Sequence, residues 1–101
     1  MQVKIEKQEN TYTVFLEGRL DTAASPQTET DMQPLFLLEE GEIILDCSQL
    51  TYISSSGLRI FLALLKKSKA KGVKLYIRGL NETLRNVFTM TGFFHLFEFK
   101  H

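Results

Sequence analysis

Residues 45–72, LDCSQLTYISSSGLRIFLALLKKSKAKG, contain the clearest structural signals of the chain. The short aliphatic run from Glu42 to Cys47, which leads into it, is typical of a strand buried on both faces of a sheet. Three serines follow, Ser54 to Ser56, and the stretch ends at Gly72, a residue that favours a helix C-terminus. Between them, apolar residues recur at the spacing of an amphipathic helix: Leu58, Phe61, Leu62 and Leu65. We therefore predict a central strand, a serine-rich loop and a long helix.

The chain before this stretch begins with two alternating segments. Apolar residues alternate with polar ones in Gln2–Lys7 and again in Thr11–Leu16, with Glu9 and Asn10 between them. This pattern predicts a hairpin, and we expect the chain to leave the sheet from Gly18 to Leu20.

A broken helix is predicted next. Ser25 and Pro26 form an N-cap residue followed by the residue best suited to a first helical position. Pro34 interrupts the pattern because it removes a backbone donor and disfavours helix in the residue before it. We expect a kink or two short pieces.

After Gly72 the sequence predicts a strand over Val73–Arg78 and a helix capped by Asn81 and stopped by Gly92. A last short strand is expected over Leu96–Phe99. The predicted fold class is therefore α/β, with a mixed β-sheet of about five strands and helices packed against it in one domain, residues 1–101.

Composition excludes several functional classes. Twelve basic residues balance twelve acidic ones, which disfavours a nucleic-acid partner. No apolar run approaches the length of a membrane span, and the N-terminus lacks the apolar core of a signal peptide, so we expect a cytoplasmic protein with no membrane partner. The single cysteine, Cys47, has no disulfide or metal partner and is predicted to be a buried core thiol. We expect no metal and no cofactor.

The three serines lie where ligands and partners usually bind in open α/β sheets, after the carboxyl end of the central strand. One serine could serve only as the helix cap, which stabilises by about 1 kcal/mol. Three in a row exceed that need, and Gly57 is expected to leave room for an approaching partner or enzyme.

The segment from Leu45 to Gly72 resembles the STAS domain family, which includes sulfate transporters and anti-sigma factor antagonists. The resemblance rests on Asp46-x-Ser48, an aromatic at Tyr52, the hydroxyl trio and the pair Gly57-Leu58. Two flanking segments agree with it, FLEGRLD at 15–21 and LRNVFTMTGFFHLFEF at 84–99. The likeness covers nearly the whole chain.

The resemblance implies a bacterial anti-sigma factor antagonist. Such a protein binds an anti-sigma factor, often a serine kinase, and so frees a sigma factor for transcription; a serine phosphatase is a further partner. The family's phosphorylated serine corresponds to Ser55, and Ser54 stands where the family often has an aspartate. The implied partner-binding residues are Asp21, Thr22, Ser54, Ser56, Gly57, Leu58 and Arg59.

Some of these residues, and several others along the chain, have a structural interpretation beside the functional one. Asp21 at a strand exit could be a turn residue, and Arg59 could bind a partner carboxylate or be simply solvated. Ile60, Ala63 and Leu64 lie off the main helical stripe and form either a second layer of core or a docking patch. The lysines between Lys66 and Lys71 could form a nucleic-acid or lipid patch, but cations also suit a helix C-terminus without any ligand. Neither His95 nor His101 has a spacing that suggests a catalytic or ligating role.

Two other functional classes stay open. A serine hydrolase would need a nucleophile elbow of the form G-x-S-x-G, and ISSSGL lacks the first glycine. Alternatively, a STAS-like domain could be an accessory or scaffold subunit of a transporter or of a large signalling assembly.

Overall fold

The computed structural model describes residues 1–100 and contains five strands and four α-helices. In chain order the elements are β1 Gln2–Gln8, β2 Thr11–Leu20, α1 Ser25–Asp31, α2 Gln33–Phe36, β3 Glu42–Ile53, α3 Ser55–Lys71, β4 Lys74–Arg78, α4 Glu82–Met90, a 3-10 turn at Phe94–Leu96, and β5 Glu98–Phe99.

The strands form one mixed sheet whose spatial order, β1-β2-β3-β4-β5, follows the chain. β1 and β2 pair in antiparallel fashion as the predicted hairpin, while β2, β3, β4 and β5 are mutually parallel neighbours. The predicted fold class is confirmed, and β3 is the middle strand, as expected.

The core lies between one face of the sheet and the helices. Along β3, Ile43, Leu45 and Cys47 belong to the core cluster, whereas Ile44 and Asp46 point to the opposite face and are also buried. The prediction of a strand buried on both faces and of a buried core thiol at Cys47 is therefore confirmed. Aromatic contacts join Phe61 of α3 to Phe88 of α4, and Phe88 in turn to Phe97 just before β5.

Two strands are longer than predicted. We expected the chain to leave the sheet at Gly18, but β2 continues to Leu20, with shifts of register against β3 on either side of Gly18. Gly18 has a φ of 104°, which a residue with a side chain rarely adopts, so this glycine lets the strand continue through the irregularity. β3 likewise extends past Cys47 to Ile53, because the last part of β2, Glu17 to Leu20, supplies pairing partners between Gln49 and Ile53.

The first helix is broken as predicted, into α1 and α2, but its cap was wrong. Ala24 is the N-cap residue, and Ser25 is already helical. The Ser25 hydroxyl donates to the Asp21 carbonyl oxygen at 2.8 Å instead of accepting from the helix.

At the other end of the chain, Asn81 caps α4 as predicted, because its side-chain oxygen accepts from the Leu84 N–H at 2.8 Å. The last strand is shorter than expected, since Leu96 lies in the 3-10 turn and β5 holds only Glu98 and Phe99. The prediction made for His101 concerns a residue outside the described range.

Candidate functional site

The three serines sit at the start of α3 and differ in exposure. Ser54 connects β3 to the helix and is buried. Its N–H donates to the Leu20 carbonyl at 2.8 Å, and its hydroxyl accepts from the Gly57 N–H at 3.2 Å. The sequence allowed one of the three serines to be the helix cap, and Ser54 is that residue. Its hydroxyl is therefore bonded within the protein.

Ser55 and Ser56 are the first two residues of α3, not members of a loop as predicted. Ser55 is exposed, whereas Ser56 is half-buried. Of the three serines, Ser55 is thus the one most accessible to an enzyme from outside, and it is the residue that the family resemblance predicts to be phosphorylated.

Gly57 has a different role from the one expected. A Cβ at this position would lie 2.7 Å from Leu20 Cγ and 2.9 Å from Ile53 Cγ1. The glycine therefore lets the first turn of α3 pack against the ends of β2 and β3, and the space it leaves is in the core rather than at the surface. Leu58 is buried as well, so neither residue offers a side chain to a docked protein.

The loop after β2 lies beside the start of α3, because Leu20 at the end of β2 pairs with Ile53 at the end of β3. One Asp21 carboxylate oxygen accepts from the Ala24 N–H at 2.9 Å, which is the turn role considered for it. Thr22 is exposed and, together with Ser56 and Arg59, lines a groove between α1, α2 and α3.

This groove encloses about 520 Å³ and has a largely apolar floor. Ile60 and Leu64 are buried, which confirms a second layer of core for these two residues. Ala63 is exposed and lines the groove, so it is surface. The groove's lining includes Pro26, Glu29, Phe36, Ile60 and Ala63.

The charges on α3 are distributed unevenly. Its first turn contains no acidic residue, and Arg59 is exposed. Within residues 1–100, no carboxylate lies within 4.0 Å of the Arg59 guanidinium. At the other end, Lys69 and Lys71 occupy the last turn, where cations stabilise a helix, and Lys71 pairs with Glu39 at 2.9 Å.

A polar network on the opposite face of the sheet was not predicted. Asp46 accepts from the Ser48 N–H at 2.9 Å and from its hydroxyl, and pairs with Arg78 Nε at 2.8 Å. Burial alone would raise the pKa of Asp46, but these hydrogen bonds and the Arg78 charge hold that pKa below its ordinary value. From the sequence, Asp46 and Arg78 belong to two separate predicted strands. Only the parallel register of β3 and β4 places Asp46 opposite Arg78.

Two other reactive residue types give no site. Burial raises the pKa of Cys47, so its thiol stays protonated and unreactive. Among residues 1–100 there is no cluster of three or more metal-ligating side chains.

Membrane crossing is a separate question: among the same residues, no helix is long and apolar enough to cross a membrane.

Comparison with known proteins gives the family. A model of the STAS domain matches residues 2–101. The chain belongs to the STAS domain family.

Curated relatives of this STAS domain are named as anti-sigma factor antagonists. BtrV of Bordetella bronchiseptica is 29% identical over 97 residues, which are 96% of this chain and 84% of that protein. The anti-sigma-B factor antagonist of Listeria monocytogenes is 26% identical over 89 residues, 87% of this chain and 77% of that protein.

Solved structures agree on the fold. A Thermotoga maritima protein described as an anti-sigma factor antagonist superposes with a TM-score of 0.86 at 15% identity, covering 96% of this chain and 84% of that one. The unphosphorylated anti-sigma factor antagonist SpoIIAA gives 0.75 at 19% identity, covering 99% and 88%. A sulfate transporter family protein of Wolinella succinogenes also gives 0.75, at 15% identity and with 93% and 80% covered.

Proposed function

We propose that this STAS domain is an anti-sigma factor antagonist whose binding is switched off by phosphorylation of Ser55. One observation carries the proposal: Ser55 is the exposed hydroxyl at the start of α3, at the position that corresponds to the family's phosphorylated serine. The names of the curated relatives support the same partner class. Because bacterial transcription takes place in the cytoplasm, the proposal places the chain there.

The proposed docking surface surrounds Ser55. It consists of the exposed or half-exposed residues Thr22, Ser56 and Arg59 and the groove that they border. Ser54, Gly57 and Leu58 act indirectly, because they hold the first turn of α3 in place from below. Asp21 is partly exposed and shapes the neighbouring turn, so it contributes mainly through the position of Thr22.

The proposed cycle has two states. Unmodified, the domain binds the anti-sigma factor, which then releases its sigma factor. If the anti-sigma factor is a serine kinase, the γ-phosphoryl group of ATP passes to Ser55 Oγ, the hydroxyl proton is lost and ADP leaves. A serine phosphatase returns the domain to its binding state by hydrolysing that ester to serine and inorganic phosphate.

The modification would act at the interface rather than on the fold. A phosphoserine carries roughly −1.5 to −2 charges, and a helix N-terminus favours such a charge by about 0.3–1 kcal/mol. A hundredfold loss of affinity needs about 2.8 kcal/mol, which is within the several kcal/mol that like charges placed together at an interface can cost.

The experiment that tests this proposal is affinity purification from the native cells with the unmodified chain as bait, with and without ATP. Mass spectrometry should identify an anti-sigma factor in the bound fraction and, with ATP, a phosphate on residue 55. Ser55→Ala should still bind but should not be modified, whereas the matched variant Ser56→Ala should be modified like the wild type. An absent anti-sigma factor, or a phosphate placed elsewhere, contradicts the proposal.

An accessory or scaffold role is the second candidate, since the same fold occurs in a sulfate transporter family protein. Gel filtration of the chain purified from its own cells separates the two. A scaffold subunit should elute in a large particle, whereas the proposed antagonist should elute as a small species or in a complex with its anti-sigma factor.

A further inference from the structure

Arg59 has no charged partner on its own helix nearby. It is the fifth residue of α3, directly after the first turn, and that turn contains no acidic residue. No carboxylate of residues 1–100 pairs with it, and its side chain is exposed. The folded, unmodified chain therefore gives this guanidinium no partner of its own.

The position of Arg59 relative to Ser55 suggests what the partner is. The two residues are four positions apart on α3 and both are exposed, so they are neighbours on one face of the helix. Side chains on a helix lean toward its N-terminus, which directs a long side chain at position 59 over the turn that contains Ser55.

We propose that a phosphate on Ser55 is bound within the same chain by Arg59. This inference rests on the proposed phosphorylation of Ser55 and describes how that site is regulated. The planar guanidinium fork matches the oxygens of a phosphate and can form two parallel charge-assisted hydrogen bonds with it. Phosphorylation then has two effects, because it adds negative charge to the docking surface and withdraws from the partner the exposed cation of that surface.

The other charged groups near this pair do not replace the phosphate. Glu29 of α1 lines the same groove as Arg59 but lies more than 4.0 Å from it, and it carries one charge against nearly two for the phosphate. One carboxylate oxygen of Asp21 already accepts from the Ala24 N–H. The lysines of α3 begin at Lys66, about two turns further along the helix.

The test measures the pKa of the phosphate itself. Phosphoserine is installed at position 55 by genetic encoding or by ligation, so that no kinase is needed, and the ³¹P NMR signal is followed from pH 4 to pH 8. The second pKa should be about 0.3–0.5 unit higher in Arg59→Gln than in the wild type, because the cation that favours the dianion is gone. Equal values in the two chains would overturn the inference.

Two further variants make the result specific. Lys66→Gln removes a cation from the exposed part of the same helix and should leave the phosphate pKa at the wild-type value. Arg59→Lys keeps the charge without the fork and should give an intermediate value. A shift in Lys66→Gln as large as that in Arg59→Gln would mean that only the general charge of the helix matters.

The effect on the partner is measured separately, with the anti-sigma factor identified by affinity purification. If the phosphate binds Arg59 and so removes it from the docking surface, phosphorylation should reduce the affinity for the anti-sigma factor by a smaller factor in Arg59→Gln than in the wild type. The same factor in both chains would contradict the withdrawal. If no anti-sigma factor binds at all, the proposed function fails, while the NMR titration still decides whether Arg59 binds the phosphate.

Discussion

At the scale of single residues, the start of α3 divides its tasks among adjacent positions. Ser54 caps the helix, Ser55 is exposed, and Gly57 allows close packing against Leu20 and Ile53. The sequence motif could be found without a structure, but these roles could not be assigned from it. Only the structure shows that Gly57 faces the core, since that depends on how the ends of β2 and β3 lie beneath α3.

Gly57→Ala should destabilise the domain. The added methyl would lie within 3 Å of two core side chains, and overpacking of this kind costs about 1–3 kcal/mol, against a gain of up to about 1 kcal/mol in helix propensity. Urea denaturation should show a net loss of about 1–2 kcal/mol in the free energy of unfolding. Ser55→Ala, two residues away and exposed, serves as the control and should change it by less than about 0.5 kcal/mol. A more stable Gly57→Ala would show that this packing is not tight.

The network around Asp46 should make stability depend on pH. Its pKa is lowered in the folded chain, so its contribution is fully present above the ordinary value of 3.8 and is lost as the pH falls through the folded value. Asp46→Asn should cost about 1–3 kcal/mol at pH 7, because Arg78 and Ser48 lose a charged acceptor.

Denaturant titrations at pH 7 and near pH 3 check this dependence. The difference between wild type and Asp46→Asn should shrink at the lower pH. Glu29→Gln is the control, since Glu29 is exposed and has no ion pair in residues 1–100, and it should leave the pH dependence unchanged. A difference that stays constant down to pH 3 would show that the carboxylate charge does not contribute.

At the scale of elements, the sequence predicted the order of strands and helices but not all of their ends. Periodicity located the hairpin, β3, α3 and α4, because each buries one regular face or two. The ends depend on neighbours: β3 continues beyond Ser48 because β2 pairs with it again from Gln49 onward, and β2 continues because Gly18 accommodates a shift of register. Such pairing partners are distant in the sequence and leave no local signal.

The cap of α3 gives a prediction at this scale. Ser54→Ala should cost about 1 kcal/mol, because the Gly57 N–H loses its acceptor. Ser54→Asp should retain the cap and the stability, since aspartate also accepts from the first turn and its charge suits the helix N-terminus. Thermal and urea unfolding of both variants would test this. If Ser54→Asp were as unstable as Ser54→Ala, the desolvation of the aspartate at this buried position would outweigh its value as a cap.

At the scale of the whole molecule, the fold separates a continuous core from the exposed residues at the start of α3. The core is continuous beneath α3 and α4, while Ser55 and Arg59 stand outside it. The family resemblance predicted phosphorylation at residue 55, and the structure adds that this residue is exposed, that its helix is capped by Ser54, and that Arg59 lies four positions further along α3. A charge added there can be solvated in the free domain, so we expect Ser55→Asp to keep its melting temperature within a few degrees of the wild type.

The most direct measurement is calorimetric titration of the cognate anti-sigma factor with the unmodified chain and with the chain carrying phosphoserine at position 55. Thermal melts of both chains confirm first that each is folded. We expect phosphorylation to weaken binding by at least about a hundredfold, equivalent to about 2.8 kcal/mol. Equal affinities of two folded chains would contradict it.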